Sequence, residues 1–185
     1  TEPDAVEKLE IALNEATEKR QRVNAMLELA WELRHEDIPR MVMLSQDANK
    51  LISGESSWQK ENAKSLRNLA YANYRQDDYA EALSQSLDAL SLSELGGDIE
   101  TQAEALRVIG LINLRLANYS EALEYQIKSL KLSEELEDLD GQAIAMINIA
   151  VVYTASEDYL QALEMYRKVV DIYQVSDKNK FEGYA

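Results

Sequence analysis

Apolar residues follow one another along this chain at intervals of three and four positions, with charged and amide residues between them. This spacing places apolar side chains on one face of an α-helix, so it predicts a succession of amphipathic helices. The polar stretches RQDD, LAN and SED separate consecutive apolar segments by only a few residues. We therefore expect neighbouring helices to pack as antiparallel pairs.

The apolar pattern repeats with a period of 40 residues. Shifting the sequence by this amount aligns three units, at residues 58–97, 98–137 and 138–177. Small residues and one tyrosine recur at the same places in each unit: Ala63, Ala103 and Ala143; Ala70, Gly110 and Ala150; Tyr79, Tyr119 and Tyr159; Ala82, Ala122 and Ala162. A fixed period of this size is the signature of a solenoid, in which each unit is one helix pair.

Weaker forms of the same pattern precede and follow these units. Residues 19–55 fit the frame as a degenerate first repeat, and residues 4–17 predict one more amphipathic helix, capped by Asp4. Residues 178–185 fit the start of a further repeat that the chain does not complete. Because the chain also begins without methionine, we expect it to be a piece of a longer protein, which can carry a catalytic domain elsewhere.

The second half of each unit contains the motif Y-x-x-A-L, present as YAEAL, YSEAL and YLQAL, and the first half contains a large apolar residue followed by a small one. This pattern resembles the tetratricopeptide repeat family, whose unit usually has about 34 residues. The longer period is similar to that of kinesin light chain arrays and of the N-terminal regions of bacterial signalling proteins. The resemblance implies an all-α fold, a right-handed α-solenoid of antiparallel helix pairs.

The composition limits the chemistry that the chain can support. The formal net charge is −15 with a pI of about 4.5, so the long-range field repels nucleic acids and anionic membranes. The chain has no cysteine and one histidine, which excludes thiolate nucleophiles and multi-histidine metal sites. Its apolar runs are shorter than the roughly 18 residues of a membrane span. We therefore expect no cofactor, no metal ion, no nucleic acid, no membrane insertion and no enzymatic activity in this segment.

The resemblance also implies a binding surface, because the first helices of tetratricopeptide repeats line a concave groove. Carried over by position, the groove residues are Trp31, Arg34, Lys64, Arg67, Asn68, Tyr71, Tyr74, Arg75, Arg107, Leu111, Arg115, Asn148 and Val151. Cationic and aromatic side chains concentrated in an acidic chain favour a partner that carries carboxylate or phosphate groups. Two simpler interpretations stay open, because surface arginines often pair with acidic neighbours and because Trp31 and Tyr71 can belong to the core.

These features predict a protein–protein interaction module that binds an extended acidic or mixed acidic-apolar peptide, or a partner helix, in its groove. The alternative is a sensory or dimerisation segment of a larger bacterial signalling protein, such as a nucleotide or diguanylate cyclase, a histidine kinase or a transcription regulator. In that alternative the apolar face of the C-terminal repeats forms a homodimer. We expect a cytoplasmic location and leave a periplasmic one open.

Overall fold

The computed structural model of the chain describes residues 4–182, apart from the side chains of residues 56 and 175–182. Within these residues it contains nine α-helices, two short 3-10 turns and no β-strand, which confirms the all-α prediction. The helices are α1 (Ala5–Glu15), α2 (Lys19–Glu32), α3 (Ile38–Ile52), α4 (Gln59–Arg75), α5 (Tyr79–Gly96), α6 (Ile99–Arg115), α7 (Tyr119–Glu135), α8 (Leu139–Ala155) and α9 (Tyr159–Glu182). The 3-10 turns, Leu33–His35 and Ser56–Trp58, precede α3 and α4.

The contacts between residues divide the chain into two compact units, Thr1–Thr101 and Gln102–Ala185. In unit 1, each of the helices α1 to α4 packs against the helix that follows it, and α2 also contacts α4. A three-residue turn joins α4 to α5, so these helices run antiparallel. Large apolar side chains of α2 and α3 fill the interior of this unit: Val23, Leu27, Leu29, Met41 and Ile52.

The N-terminal helix of unit 1 begins as the sequence indicates. The Asp4 side chain accepts a hydrogen bond from the backbone N–H of Glu7 at 2.8 Å, which satisfies one of the free donors of the first turn. The predicted cap is therefore confirmed, and α1 packs against α2.

In unit 2, α7 packs against α8 and α8 against α9. Side chains of α7 also bond to the backbone of α6: the Ser129 hydroxyl donates to the Ala103 carbonyl at 2.7 Å, and the Gln126 amide donates to the Arg107 carbonyl at 3.0 Å. The buried residues of α8 are Ala143, Ala145, Ile149, Ala150 and Val152. Small side chains alternate here with large ones, so neighbouring helices approach closely.

Helices α4 to α8 all end in the same way. A residue with a positive φ follows each helix at intervals of 20 positions: Asp77, Gly97, Ala117, Glu137 and Glu157. The next residue is always Asp or Asn, and its N–H bonds to a carbonyl five residues back, as Asp78 does to Asn73 at 3.0 Å. This is the Schellman arrangement, which ends one helix and places an N-cap residue for the next.

The last helix departs from the expected repeat boundary. Repeat 4 was expected to end at residue 177, but α9 continues without a break to Glu182. The sequence between residues 178 and 182 contains neither glycine nor proline, so nothing in it stops the helix. The remaining positions of the further repeat, residues 183–185, lie outside the described residues.

Candidate functional site

The residues predicted to line a groove divide between the two units. Those of unit 1 lie on α2, on the 3-10 turn after it and on α4: Trp31, Arg34, Lys64, Arg67, Asn68, Tyr71, Tyr74 and Arg75. Those of unit 2 lie on α6 and α8: Arg107, Leu111, Arg115, Asn148 and Val151. Most of the unit 1 residues come together in one place, and Lys64 lies apart from them. The unit 2 residues occupy separate turns of two helices.

A row of aromatic rings runs along the contact between α2 and α4. The Trp31 and Tyr71 ring centroids are 5.6 Å apart in an edge-to-face arrangement, and Tyr74 lies 6.1 Å beyond Tyr71. Trp31 and Tyr71 are buried, with 5% and 4% of their surface exposed. The Trp31–Tyr71 pair thus has the edge-to-face geometry that aromatic rings favour, whereas the planes of Tyr71 and Tyr74 are tilted by 45°.

Three guanidinium groups lie over these rings. Arg67 and Arg34 approach the Trp31 ring to 4.0 and 4.8 Å from its centroid, and Arg75 lies 5.9 Å from the Tyr71 centroid. The ring faces carry partial negative charge and stabilise these cations. We call Trp31, Arg34, Arg67, Tyr71 and Arg75 the arginine–aromatic cluster.

The charges of Arg34 and Arg75 are only weakly neutralised. Arg34 bonds to the Trp31 carbonyl at 2.8 Å, and its nearest carboxylate, that of Glu32, is 3.9 Å away. Arg75 bonds to the Arg34 carbonyl at 3.4 Å and to the Tyr71 hydroxyl at 3.5 Å, and no carboxylate of the described residues lies within 4.0 Å of it. The Nε atom of Arg34 is buried, and within the described part of the chain it has no hydrogen-bond partner.

Arg67 and Asn68 lie beneath the surface that they were expected to line. Arg67 is 1% exposed, and its Nε and Nη2 atoms donate to the Asn68 side-chain oxygen at 3.1 and 2.9 Å. The Asn68 amide in turn donates to the Leu27 carbonyl of α2 at 3.0 Å. These bonds tie α4 to α2, so Arg67 is the buried member of the cluster and Asn68 supports it from below.

Lys64 belongs to a second feature of the same helix pair, a polar cavity of about 360 Å³. The residues that line it are Asn24, Glu28, Lys60, Glu61, Lys64 and Asp98. The Lys64 ammonium bonds to the Glu28 carboxylate at 2.5 Å. Burial lowers the pKa of Lys64, but the hydrogen bond to Glu28 and the charges of Glu28 and Asp98 outweigh it and raise that pKa.

In unit 2 the predicted residues are half-buried or exposed, and two of them bond to Gln126 of α7. The Asn148 amide donates to the Gln126 side-chain oxygen at 3.3 Å, while the Gln126 amide bonds to the Arg107 carbonyl. Gln126 is almost completely buried and links α6, α7 and α8. Val151 is partly exposed, at 38%. Asn148, which was predicted to line the groove, is thus oriented by a buried glutamine.

Several residues of these sites carry no clear signal in the repeat alignment. Glu61 aligns with Thr101 and Gly141, so its position shows no preference for a carboxylate. His35, whose Nδ1 atom lies 3.3 Å from the Tyr71 hydroxyl, belongs to the degenerate first repeat. Contacts such as these join residues about 36 positions apart and depend on how two helices pack.

Two further observations bear on the class of protein. Within residues 4–182, no group of three or more His, Cys, Asp or Glu residues is arranged to hold a metal ion. None of the helices in the described part of the chain is long and apolar enough to cross a membrane.

Successive antiparallel helices, 17 or 18 residues long from α4 to α8, with variable polar and aromatic residues on the first helix of each pair, define a helical-repeat interaction scaffold. The sequence profile described as "Tetratricopeptide repeat" matches residues 61–135 and residues 101–174. The chain therefore belongs to the tetratricopeptide repeat family, and it is a protein–protein interaction module. Members of this family are typically non-catalytic scaffolds.

Solved structures share this fold at low sequence identity. Aspartyl phosphate phosphatase F from Bacillus subtilis has a TM-score of 0.74 at 16% identity, covering 93% of this chain and 45% of the phosphatase. The apo form of RapI has a TM-score of 0.72 at 18% identity, covering 94% of this chain and 63% of RapI. BtubC from P. vanneervenii has a TM-score of 0.69 at 16% identity, covering 91% of this chain and 70% of BtubC.

The chain thus spans less than half of phosphatase F and less than two thirds of RapI. None of the curated protein sequences matches the chain.

Proposed function

We propose that unit 1 binds an extended segment of a partner protein through the arginine–aromatic cluster, and that this segment is acidic or mixed acidic-apolar. The cluster lies on the first helices of two successive repeats, α2 and α4, where tetratricopeptide repeats present variable residues. A carboxylate of the partner binds between Arg34 and Arg75, and an apolar side chain packs beside Tyr74, which is partly exposed.

One observation carries this proposal: cationic charge gathers at the cluster with few carboxylates to neutralise it. The chain has 34 acidic residues and 19 basic ones, yet Arg75 has no carboxylate within 4.0 Å in the described structure, and the carboxylate nearest to Arg34 is 3.9 Å away. A buried donor without a partner, here the Nε atom of Arg34, costs about 1–3 kcal/mol. Because that atom is buried, a bound carboxylate approaches the guanidinium group from its exposed side, since 19% of the Arg34 side chain is accessible.

The proposal is tested by selecting binders from a displayed library of random peptides of about twelve residues on the immobilised chain. We expect the selected peptides to be enriched in Asp or Glu, with apolar residues nearby. A fluorescein-labelled peptide from this selection is then titrated with the wild-type chain and with the Arg34→Gln and Arg75→Gln variants. Each substitution removes a charge-assisted hydrogen bond and should raise Kd about tenfold.

The matched control is Arg22→Gln. Arg22 is exposed on α2 outside the cluster, and its substitution changes the net charge by the same amount. This variant should bind the peptide as the wild-type chain does. The proposal fails if the selected peptides carry no excess of acidic residues. It also fails if Arg75→Gln binds them as tightly as Arg22→Gln.

A second candidate function is self-association, as expected for a dimerisation segment of a signalling protein. On α9, large apolar residues spaced by three and four positions are 40% to 63% exposed: Tyr159, Leu163, Tyr166, Val170 and Tyr173. An exposed stripe with this spacing is typical of a helix that pairs with another helix. The observation favours contact between two copies through α9.

Light scattering coupled to size exclusion, at chain concentrations from about 1 to 100 µM, tests this second candidate. Self-association through α9 is supported if the wild-type chain is a dimer and the Leu163→Lys, Val170→Lys double variant is a monomer. The control variant Gln161→Lys, on the same helix, should remain a dimer. A wild-type chain that is monomeric at all these concentrations excludes it.

A further inference from the structure

His35 is the single histidine of the chain, and it lies beside the arginine–aromatic cluster. It ends the 3-10 turn that follows α2, directly after Arg34. Its Nδ1 atom is 3.3 Å from the Tyr71 hydroxyl, and the two rings meet edge to face with their centroids 5.9 Å apart. His35 is exposed whereas Tyr71 is buried, so the histidine adds a titratable group to the solvent side of the cluster.

The Tyr71 hydroxyl connects His35 to Arg75. The Arg75 guanidinium donates a hydrogen bond to this hydroxyl at 3.5 Å, while the His35 Nδ1 atom approaches the same oxygen. A neutral imidazole whose Nδ1 carries no proton accepts the hydroxyl proton, but a protonated imidazole donates to the hydroxyl oxygen instead. Protonation of His35 therefore directs a second cation at the oxygen that Arg75 already contacts.

Charged groups of both signs surround the turn that holds His35, which packs against α2, α3 and α4. The titratable and charged groups that these elements and the neighbouring chain place there are Glu32, Arg34, Glu36, Asp37, Arg40, Tyr71 and Arg75. The Glu32 carboxylate is 3.9 Å from Arg34, the Asp37 carboxylate caps α3, and Arg40 forms an ion pair at 2.8 Å with Glu10 of α1. All these groups are present with or without a partner, so they do not cause a change on binding.

A protonated His35 increases the positive charge at the accessible side of the cluster. Of the three arginines in the cluster, Arg67 is only 1% exposed, so Arg34 and Arg75 carry the accessible charge. A further cation beside them attracts a carboxylate and at the same time repels the two guanidinium groups. A bound carboxylate offsets this repulsion, so protonation of His35 and binding of an acidic segment favour each other.

From this geometry we infer that His35 is a further binding residue for the acidic segment of the partner, and that it contributes only when it is protonated. The inference rests on the proposed function, since the acidic segment is the ligand that His35 helps to bind. Histidine gains its charge as the pH falls through about 6.5, whereas Asp and Glu side chains stay ionised down to about pH 4. Affinity for the segment should therefore increase as the pH falls from about 8 to about 5.5.

A peptide selected on the immobilised chain at about pH 8 provides the probe. At this pH histidine is neutral, so the selection itself does not depend on the charge of His35. The peptide is chosen without histidine, and its ends are acetylated and amidated, so that its own charge is constant over the pH range. Fluorescence anisotropy then gives Kd for the wild-type chain at about pH 8 and about pH 5.5. We expect binding about three to five times tighter at the lower pH, the gain typical of an exposed ion pair.

Two variants at position 35 separate the charge of the side chain from its shape. His35→Gln cannot gain a proton, so it should bind the peptide as the wild-type chain does at about pH 8 and show no gain at about pH 5.5. His35→Lys is charged throughout, so at both pH values its affinity should approach that of the wild-type chain at about pH 5.5. The inference is wrong if the gain at low pH persists in His35→Gln.

The matched control is Arg22→Gln, an exposed substitution on α2 outside the cluster. This variant should keep the full gain in affinity at low pH. Because position 35 is exposed, we expect its variants to fold as the wild-type chain does, and thermal unfolding followed by circular dichroism verifies this at both pH values.

NMR gives an independent readout, because a chain with a single histidine has one imidazole Hε1 signal. Thermodynamic linkage requires that protonation strengthens peptide binding by the same factor as the peptide strengthens protonation. A three- to fivefold gain in affinity therefore corresponds to a rise of about half a pH unit in the titration midpoint of His35 when peptide is added to saturation. A midpoint that the peptide leaves unchanged overturns the inference.

Failure of this inference is distinct from failure of the proposed function. Acidic peptides that lose affinity in Arg75→Gln but bind the wild-type chain equally at both pH values overturn the role of His35 and leave the arginine–aromatic cluster as the binding site. A selection at about pH 8 that returns no excess of acidic residues overturns the proposed function, and the role of His35 with it.

Discussion

At the scale of single residues, the turns between helices hold non-glycine residues in a conformation that suits glycine. Of the five residues with positive φ that end α4 to α8, only residue 97 is glycine. An L-residue in the left-handed region costs roughly 1 kcal/mol, because Cβ crowds the neighbouring carbonyl. This cost is offset because the turn places an Asp or Asn at the N-cap position of the next helix.

Ala117 gives the simplest test of this cost, because it is exposed and has a φ of 59°. We expect Ala117→Gly to raise the free energy of unfolding by up to about 1 kcal/mol, measured by urea denaturation. The same change in a right-handed helical residue, Ala80→Gly in α5, should lower it. If both substitutions destabilise the chain, position 117 does not adopt the left-handed conformation in solution.

Gly110 is required by a neighbouring side chain rather than by its backbone conformation. A Cβ atom at this position would lie 2.5 Å from the Gln126 amide nitrogen and 2.9 Å from the Cδ and Cγ atoms of the same side chain. In the preceding repeat the equivalent residues are Ala70 and Ser86, and both are fully buried. The repeat that has glycine on its first helix thus has the large glutamine opposite it, and the repeat that has alanine there has the smaller serine.

This pairing predicts a specific rescue. Gly110→Ala should destabilise the chain by about 1–3 kcal/mol, because Gln126 must leave its slot and lose its bonds to α6 and α8. The double variant Gly110→Ala, Gln126→Ser should lose less stability than the sum of the two single changes. Chemical denaturation of the wild-type chain, the two single variants and the double variant gives the coupling energy between the two positions. If the stability losses of the single variants simply add up in the double variant, residues 110 and 126 are not in contact.

At the scale of the helices, a small network fastens the start of α2 to the turn before α4. The Glu55 carboxylate accepts a hydrogen bond from the Lys19 ammonium at 2.6 Å and another from the Trp58 indole at 2.8 Å. Trp58 is buried beneath the cations of Lys19 and Arg20, which lie 5.3 and 4.4 Å from its ring centroid. The contact bridges 36 positions and fixes the first two repeats to each other.

These bonds make the junction sensitive to pH. The hydrogen bonds from Lys19 and from Trp58 lower the pKa of Glu55 below its ordinary value of 4.5. A lowered folded-state pKa stabilises the protein above the unfolded-state pKa, and this stabilisation disappears as the pH falls through the folded-state value. Between about pH 5 and about pH 3, the wild-type chain should therefore lose more stability than Glu55→Gln.

Carbon-detected NMR of the Glu55 carboxyl group checks this prediction directly. Its titration midpoint should lie below 4.5 in the wild-type chain and move back towards that value in Lys19→Met. A midpoint at or above 4.5 in the wild-type chain would show that the junction is not formed in solution.

At the scale of the whole molecule, the dominant physical feature is charge. A formal charge of −15 on 185 residues opposes folding through self-repulsion, and ion pairs such as Lys19–Glu55 and Lys64–Glu28 offset it locally. Added salt screens repulsion between distant charges more than it weakens the close pairs.

We therefore expect the midpoint of thermal unfolding at pH 7 to rise by a few degrees when sodium chloride is raised from about 10 to about 300 mM. Differential scanning calorimetry measures this shift. Asp88→Asn, which removes one exposed charge, should unfold at a slightly higher temperature in low salt and show a smaller salt effect. A midpoint that falls with salt would mean that local ion pairs outweigh the net repulsion.

The arrangement of helices could be predicted because each signal is local and repeated. Ala63, Ala70, Ala82, Ala122 and Ala143 recur at fixed places in the units, and all are completely buried, as small residues between closely packed helices should be. The three-residue turns and the Asp4 cap also depend only on neighbouring residues. Period and turn chemistry are therefore sufficient to predict the antiparallel pairs.

The sites could be predicted only in part. The positions carried over from the tetratricopeptide resemblance include Trp31, Arg34, Tyr71 and Arg75, which contact one another in the structure. They could not show that Arg67 and Asn68 turn inwards. They gave no indication of the buried Glu61 in the cavity. A long side chain reaches several ångströms from its backbone, so its burial depends on which distant residue lies beside it.

The sequence by itself thus determined the family, the helices and the turns that join them, because these follow from spacings within 20 or 40 residues. The tertiary structure decided which charged side chains are neutralised, which remain available to a partner and which are buried. The physical reason is that desolvation and pairing depend on three-dimensional neighbours. In this protein those neighbours come from helices about 36 to 41 positions apart, such as Lys64 with Glu28 and Asn68 with Leu27.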